Sequence, residues 1–411
     1  MRKIFGCIDI GSDAIKLIVG EVFDGKINVL AALSEETKGY LDHEIVDEQA
    51  LMTVIKRLLE RASEKLGFKI KKLIANIPTS ENRFIISEVT NTITNEEYSV
   101  TGDDILRIMQ SAAYNQISDK EELVAVLPIN FRTDDEETKE PYGKKCKKLS
   151  LKAVLVKAPK FEIYEMVRVL EKCEVDVIDI TTTGLVDYFN FKNEQNDNKT
   201  GVIINIGAYK TSLSIFSKGI YVNNEIIDTG GVYIDRDISL IYNLNKKDAK
   251  FLKENYALAN IRRSNPKESV RIVNKTNEEL EINQYELTEI VSSRVEDILK
   301  LSKKSLNLLT KKEISYIIVT GGLTELRDFP LALTSVFGDA AKIGNISTIG
   351  VRHNKYSVAL GMIKYFNGKL ELRNRQYSTV SEAEAAAMVS DEVKPSGDTI
   401  LGKVFGYFFD N

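Results

Sequence analysis

The chain has 411 residues, 43% of them hydrophobic and 28% charged, with a formal net charge of −4. This length exceeds one typical core, so we expect two lobes or more, and the acidic balance supplies no basic field for binding nucleic acid. Three scattered cysteines and two distant histidines lack metal-site spacing and are typical of a reducing cytoplasm. No stretch approaches the roughly 20 apolar residues of a membrane-spanning helix, which predicts a soluble, non-exported body.

The N-terminal part predicts a sheet followed by a helix. Residues 4–10, 16–22 and 26–33 alternate apolar and polar positions, carry β-branched side chains and are separated by turns, which predicts a β-meander. Apolar residues at helical spacing then predict a helix over 48–66, and a short strand follows at 72–77. This order indicates an α/β lobe.

The sequence pattern changes after residue 83. A strand over 83–90, a helix near 103–114 and strands over 123–131 and 149–156 form a strand, helix, strand, strand unit. We interpret this unit as a subdomain inserted into the first lobe.

The N-terminal pattern begins again beyond a polar crossing, FKNEQNDNKT. Residues 7–27 (CIDIGSDAIKLIVGEVFDGKI) and 203–220 (IINIGAYKTSLSIFSKGI) both contain an apolar strand, an Ile-Gly turn, a second strand, a turn and a third strand. Gly207 in the second stretch stands about 196 positions after Gly11 in the first. The repeat predicts two similar lobes.

The C-terminal half ends the second lobe and returns to the first. A strand over 316–319 runs into Gly321 and Gly322, and a last core helix is predicted at 355–366. Residues 373–397 carry few large apolar groups, so we expect a flexible linker there.

The two Ile-Gly turns contain the candidate chemistry. A turn rich in Gly and Ser presents backbone N–H groups that can bind phosphate oxygens, because no side chain blocks the approach. Asp9, just before Gly11 and Ser12, is placed to hold Mg²⁺ through water. Either turn alone is explained more simply as a plain hairpin. Two matching turns and a later Gly-Gly together predict paired lobes that clamp one nucleotide from both sides.

With these motifs the chain resembles the actin, Hsp70 and sugar-kinase superfamily, whose lobes each carry a phosphate turn. The stretch IIVTGGLTEL (317–326) resembles its adenosine motif, and KKDAKFLKENYA (246–257) resembles the helix that packs beside the adenosine. IIDTGG (226–231) resembles the Gly-Gly that precedes a helix in the second lobe. The resemblance implies ATP and Mg²⁺ as cofactors, with Asp9 contacting the metal indirectly. The nucleotide-binding residues that it implies are Asp9, Gly11, Ser12, Lys16, Asn205, Gly207, Lys210, Thr211, Gly230, Gly231, Lys253, Gly321 and Gly322.

The second phosphate turn departs most from the superfamily pattern Asp-x-Gly-Gly-Gly-Thr-x-Asp. Asn205 and Ser212 replace both carboxylates, and Tyr209 puts a ring where a backbone group could meet phosphate. Asn cannot act as a general base, whereas Lys210 can partly compensate as a point charge. Lys250 stands where Glu is common. We therefore predict ATP binding with weak or no hydrolysis, and we assign no catalytic residue.

The insertion resembles that of the FtsA family, actin-like bacterial cell division proteins, and the resemblance covers about residues 1–370. It implies an α/β, two-lobed actin-like ATPase fold with an SHS2-like subdomain inserted in the first lobe. The implied parts are a first lobe (1–82, 161–198 and 355–372), the insertion (83–160), a second lobe (199–231 and 302–354), a small subdomain (232–301), a flexible linker (373–397) and an amphipathic membrane-targeting helix (398–411).

The tail DTILGKVFGYFFDN predicts that amphipathic helix. About 12 helical residues span roughly 18 Å, too short to cross the ~30 Å hydrocarbon core, so we expect the helix to lie in the membrane interface. A helix docked on the protein's own core is the simpler alternative. The apolar residues that share about half of its circumference are Ile400, Leu401, Val404, Phe405, Phe408 and Phe409.

The family resemblance also implies partners and a location. It implies a filament-forming protein at the cytoplasmic face of the cell membrane, at the division site, that tethers FtsZ filaments by binding the FtsZ C-terminal tail through Arg294. Later division proteins would bind residues 83–160. Two other classes stay open: an ATPase or small-molecule kinase of the same fold, which needs a carboxylate base, and a pilus-assembly actin relative, whose residues 398–411 would not bind lipid by themselves.

Overall fold

The computed structural model of the chain describes residues 3–381 and 383–384. The strands are β1 (Lys3–Ile10), β2 (Ala14–Phe23), β3 (Lys26–Glu36), β4 (Tyr40–Leu41), β5 (Glu44–Ile45), β6 (Lys72–Asn76), β7 (Arg83–Thr92), β8 (Glu121–Arg132), β9 (Glu137–Thr138), β10 (Lys148–Pro159), β11 (Asp176–Thr181), β12 (Thr200–Ile206), β13 (Thr211–Ser217), β14 (Ile220–Ile227), β15 (Ser269–Val273), β16 (Glu279–Asn283), β17 (Tyr316–Thr320) and β18 (Ala341–Ile343). The helices are α1 (Glu48–Leu66), α2 (Gly102–Ala113), α3 (Lys160–Lys172), α4 (Thr183–Phe191), α5 (Gly231–Ile241), α6 (Lys246–Asn255), α7 (Gln284–Leu309), α8 (Phe329–Phe337) and α9 (Ser357–Leu372).

Two five-stranded mixed sheets with the same topology form the centres of the two lobes. Their strand orders are β11-β6-β1-β2-β3 and β14-β13-β12-β17-β18. In each sheet an antiparallel meander is extended by parallel strands, with β1 paired to β6 in the first and β12 paired to β17 in the second. The sequence repeat therefore corresponds to a structural repeat, and its two Ile-Gly turns join the first two strands of each meander.

The insertion forms a third sheet, of order β7-β10-β8-β9, with α2 packed on it around a separate apolar core. Helix α2 begins at a capping box, in which the Thr101 side chain and Asp104 satisfy each other's backbone N–H groups. The expected strand, helix, strand, strand order is present. The short strand β9 is an addition within the charged loop of the sequence.

Helices α4 and α8 are not indicated by the sequence pattern. Helix α4 is buried on nearly all sides, so it lacks the polar face that reveals an amphipathic helix. It packs closely on α9, where a Cβ added to Gly361 would lie 2.1 Å from the Val186 carbonyl oxygen. The absence of a side chain at Gly361 thus allows α4 to lie against the core beside the second sheet.

The segment after α9 lies against the first sheet. The Thr379 N–H donates to the Ile4 carbonyl at 2.8 Å, and the Thr379 hydroxyl accepts the Gly6 N–H at 2.8 Å. The start of the predicted linker is therefore attached to β1, because its hydroxyl groups satisfy backbone groups at this sheet. The predicted helix at 398–411 lies outside the described residues. Within the part that the structure describes, no helix has the length and apolarity needed to cross a membrane.

Candidate nucleotide-binding site

A cleft of about 960 Å³ lies between the two sheets, a volume within the range of small-molecule sites. Both Ile-Gly turns and the segment after β17 face it, because all three follow the carboxyl ends of central strands. The cleft brings together residues that are far apart in sequence. The predicted residues that line it are Asp9, Gly11, Ser12, Lys16, Asn205, Gly207, Lys210, Gly231, Lys253, Gly321 and Gly322.

Thr211 and Gly230 lie behind the cleft wall instead of lining it. The Thr211 hydroxyl is buried and donates to the Thr229 carbonyl at 2.8 Å. A Cβ added to Gly230 would lie 2.5 Å from the Gly207 carbonyl oxygen. Both residues therefore support the second turn from behind, and the close approach of two backbone segments requires a glycine at 230.

The two turns share one hydrogen-bond pattern. The Gly11 N–H donates to the Ala14 carbonyl at 3.3 Å, and the Gly207 N–H donates to the Lys210 carbonyl at 3.0 Å. Gly321 lies beside the second turn with a φ of +96°, where a Cβ would be 2.4 Å from the Ile206 carbonyl oxygen. Two backbone segments thus approach each other so closely at Gly321 that only glycine fits there, and backbone without a side chain suits the approach of phosphate.

Asp9 lies on the floor of the first turn with both carboxylate oxygens engaged. Lys16 Nζ is 3.1 Å from Oδ2, and Asn76 Nδ2 donates to Oδ1 at 3.1 Å. A magnesium ion keeps several of its waters, so this carboxylate fits contact with Mg²⁺ through water. In the described residues, no three His, Cys, Asp or Glu side chains form a metal cluster. The donor set therefore fits a metal that is carried by a phosphate ligand.

Asp187 on α4 lies directly behind the second turn, and sequence reasoning missed it. Asn205 Nδ2 donates to Asp187 Oδ2 at 2.6 Å. Burial raises the pKa of the fully buried Asp187 carboxyl to about 7, although the hydrogen bond from Asn205 acts in the opposite direction and lowers it. The sequence feature that could have revealed this residue is a single carboxylate within the otherwise apolar stretch GLVDYF (184–189).

Two of the lysines predicted to bind the nucleotide, Lys210 and Lys253, are paired with carboxylates. Lys210 Nζ lies 3.0 Å from Asp42 Oδ1 and 2.6 Å from Asp228 Oδ1. Lys253 is buried, with its Nζ 2.7 Å from Asp235 Oδ1. An entering phosphate must therefore compete with carboxylates for the Lys210 ammonium group.

Two ion pairs join the walls of the cleft. Lys250 on α6 donates to both oxygens of Asp13, just after the first turn, at 2.8 and 2.7 Å. Lys210 in the second turn meets Asp42, which stands beside His43 at the tip of the β4–β5 hairpin, where both residues have positive φ. These pairs hold the lobes together across the opening, and both are partly exposed, which limits their strength.

Tyr209 lies mostly buried at the edge of the second turn. Its hydroxyl accepts a hydrogen bond from Lys246 Nζ at 3.2 Å, and the Arg236 guanidinium lies 6.0 Å from the ring centroid. The ring therefore packs toward α5 and α6. Ser212 lines the cleft opposite Asn205 in the strand register.

Arg294, the predicted partner-binding residue, lies on α7, away from the residues that line the cleft. Its Nε donates to Asp237 Oδ2 on α5 at 2.7 Å, and its side chain stays 37% exposed.

Comparison with known proteins identifies the family. The model of the family "Cell division protein FtsA" matches residues 202–361, and that of "SHS2 domain inserted in FTSA" matches residues 80–157. Together the two matches cover more than half of the chain. The chain belongs to the FtsA family of cell division proteins. The family prediction is therefore confirmed.

FtsA proteins of several bacteria align over most of the chain. FtsA of Enterococcus faecalis is 24% identical, over 87% of this chain and 82% of its own. FtsA of Bacillus subtilis is 23% identical, over 95% and 90%. FtsA of Staphylococcus epidermidis is 26% identical, over 95% and 86%.

Solved structures confirm the predicted fold class. The "PilM-PilN type IV pilus biogenesis complex" matches with a TM-score of 0.58 and 14% identity, over 90% of this chain and 98% of that chain. MreB5 of Spiroplasma citri bound to ADP matches with a TM-score of 0.54 and 14% identity, over 90% and 99%. The chain therefore has an α/β, actin-like fold with an SHS2 domain inserted in the first lobe.

Proposed function

We propose that this FtsA-family protein binds ATP in the cleft and hydrolyses it weakly or not at all. The observation that carries the proposal is the pair of matching glycine turns that face each other across one cleft. Mg²⁺ bound with the nucleotide would neutralise phosphate charge, and Asp9 would contact it through water. Asn205 and Ser212 face the cleft where superfamily members carry carboxylates, and neither side chain can serve as a general base.

The test measures binding and turnover separately. Gly322 lines the cleft, and a Cβ added to it would meet no other atom within 4 Å, so Gly322→Leu should block the nucleotide while the fold survives. A fluorescent ATP analogue should bind the wild type and the control Gly368→Leu, whose site lies on α9, but not Gly322→Leu. Equal binding by all three proteins would contradict the assigned cleft. Steady-state ATP hydrolysis near one turnover per second would instead support the alternative, an ATPase or kinase of the same fold.

Membrane attachment through residues 398–411 is the second part of the proposal. The sequence of this tail supports it, because one helical face carries large apolar groups and Lys403 is its single basic residue. One short helix should bind weakly, and several on one filament should bind well. The protein would then act at the cytoplasmic face of the cell membrane, at the division site.

Liposome sedimentation tests the anchor. The full chain should pellet with vesicles, whereas a version ending at Gly397 and the variant Phe405→Glu should stay in the supernatant. Lys403→Ala is the matched control, and it should pellet like the wild type because apolar insertion dominates. Equal pelleting of the full and shortened chains would remove the anchor proposal.

The surface around Arg294 fits an acidic, partly apolar peptide such as the FtsZ tail. Leu240 lies one turn after Asp237 on α5 and is 79% exposed, and Leu301 lies two turns after Arg294 on α7 and is 45% exposed. A peptide carboxylate would compete with Asp237 for the guanidinium, while apolar side chains would cover the leucines.

Charge reversal tests this surface. Arg294→Glu should abolish co-sedimentation with FtsZ filaments, whereas Lys300→Glu, an equal change of charge on the same helix, should preserve it. Unchanged binding by Arg294→Glu would reject the assignment.

We also propose that the protein associates with itself into filaments and that residues 83–160 recruit later division proteins. Both proposals rest on membership of the FtsA family. Large apolar side chains at the insertion, including Ile86 and Tyr114, are exposed and suit such contacts. The domain boundaries predicted from the sequence likewise remain proposals. The likeness to PilM concerns the fold alone and does not favour a role in pilus assembly.

A further inference from the structure

The two walls of the cleft carry the same pair of side-chain types in exchanged positions. At the first turn the carboxylate of Asp9 faces the cleft and accepts a hydrogen bond from the buried amide of Asn76. At the second turn the amide of Asn205 faces the cleft and donates to the buried carboxylate of Asp187. A carboxylate is therefore present at the second turn as well, but α4 of the first lobe contributes it and it lies one layer behind the cleft surface.

The buried carboxylate is only partly satisfied. The Ser357 hydroxyl is close enough to Asp187 to lower its pKa by hydrogen bonding, but among the described residues neither Asp187 Oδ1 nor this hydroxyl makes a hydrogen bond of good geometry, although both side chains are almost fully buried. Buried polar groups in folded proteins are normally hydrogen-bonded in good geometry, so this weakly satisfied pair requires an explanation. Ser357 itself lines the cleft.

The charge of Asp187 determines how the Asn205 amide can lie. An ionised carboxylate only accepts hydrogen bonds, so it holds the Asn205 Nδ2 group and leaves Oδ1 on the other side. That oxygen lies 2.7 Å from the position of a Cβ on Gly321, and both Asn205 and Gly321 line the cleft. A protonated carboxyl can donate its O–H instead, which allows the Asn205 carbonyl to turn toward it and the Nδ2 group to face the cleft.

We propose that Asp187 is a positioning residue that sets which end of the Asn205 amide meets the nucleotide. With Asp187 ionised, the cleft receives an oxygen that repels phosphate oxygens. With Asp187 protonated, the cleft receives an N–H donor for phosphate. The inference rests on the proposed nucleotide binding and adds to it a proton that is taken up with the ligand.

The surroundings of Asp187 place this change near neutral pH. Burial on α4 raises the pKa of the carboxyl to about 7; Asn205 on β12 and Ser357 on α9 lower it, Asp9 on β1 raises it, and Lys16 on β2 lowers it. The Tyr221 phenol on β14 also faces the carboxyl, and its pKa is raised mainly by burial. A carboxyl that titrates near 7 responds to ordinary changes of cellular pH.

The test is the pH dependence of nucleotide affinity in the full-length protein. A fluorescent ATP analogue, at fixed salt and saturating Mg²⁺, should bind the wild type on the order of tenfold more weakly at pH 8 than at pH 6, the loss of one charge-assisted contact. Asp187→Asn leaves the Asn205 amide free to turn at every pH. Its affinity should match that of the wild type at pH 6 and exceed it about tenfold at pH 8. Protonation of the nucleotide itself affects both proteins equally and cancels in their ratio.

Asn205→Ala separates the inference from its alternatives. Without the amide, the further change Asp187→Asn should alter the affinity by less than about twofold at any pH. If Asp187→Asn does not fold, Asn205→Ala alone tests the inference. This variant should show only the pH dependence of affinity that protonation of the nucleotide itself causes. Parallel pH profiles for the wild type and the variants would overturn the positioning role while leaving nucleotide binding intact. Absence of binding at every pH would overturn the proposed function as well.

Discussion

The buried carboxyl of Asp187 predicts an unusual pH dependence of stability in the protein without nucleotide. Its pKa is raised from an ordinary value of 3.8 to about 7, mainly because burial penalises the charged form. In such a case the folded state binds the proton more tightly than the unfolded state. The stabilising contribution is complete below pH 4 and is lost as the pH rises toward 7 and above.

The magnitude follows from the same values. Each tenfold change in proton affinity is worth about 1.4 kcal/mol, so a rise from 3.8 to about 7 corresponds to about 4 kcal/mol. Asp187→Asn keeps the shape of the side chain and removes its charge. At pH 8 the variant should therefore be more stable than the wild type by up to about 4 kcal/mol, less the cost of any amide N–H left unpaired.

Urea denaturation followed by circular dichroism at pH 5, 6, 7 and 8 measures this difference. The free energy of unfolding of the wild type should fall relative to that of the variant by about 1.4 kcal/mol per pH unit up to pH 7. Asp339→Asn, which changes an exposed carboxylate, is the control and should follow the wild type. If the curves for Asp187→Asn and the wild type run parallel from pH 5 to 8, the assignment of a buried titrating carboxyl is refuted.

Three further substitutions test contacts that position the cleft. Gly361→Ala should lower the free energy of unfolding by about 1–3 kcal/mol, because its Cβ would lie 2.1 Å from the Val186 carbonyl oxygen. The control Gly368→Ala, whose Cβ would have its nearest neighbour at 3.8 Å, should leave it unchanged in urea titrations. Lys250→Ala should speed release of an ATP analogue two- to fivefold, the effect of about 0.5–1 kcal/mol. Lys275→Ala, which removes an exposed lysine outside the cleft, should not. Thr379→Val leaves the Gly6 N–H unpaired and should cost about 1–3 kcal/mol in urea unfolding.

The repeated core of the fold was predictable because its signals are local. Alternating β-branched residues and glycine turns indicated both meanders, and the helix expected at 48–66 is α1, Glu48–Leu66. Helix α4 could not be predicted in this way. It is buried on nearly all sides, and its position depends on α9, which follows more than 160 residues later in the chain.

The backbone part of the site was predictable, but the pairing of its charges was not. Glycines such as Gly11 and Gly207 can be recognised in the sequence as turn residues, because only glycine leaves the backbone of a turn free of a side chain. The ion pair between Lys250 and Asp13 joins residues that are 237 positions apart in the chain. The residues next to either one do not indicate which partner it will contact. Sequence reasoning therefore assigned Lys210 to phosphate, whereas the structure pairs it with Asp42 and Asp228.

The positions of Asn205 and Asp187 at the second turn give a physical reason for the proposed binding of a nucleotide without its cleavage. A general base must reach the water that attacks phosphate, and Asp187 cannot do so because it is fully buried behind Asn205. A carboxylate at this depth cannot act as the base, but in the proposed positioning role its charge lies close enough to orient the amide. Nucleotide occupancy would then depend on binding, protonation and the ion pairs across the cleft, with no irreversible step to reset it.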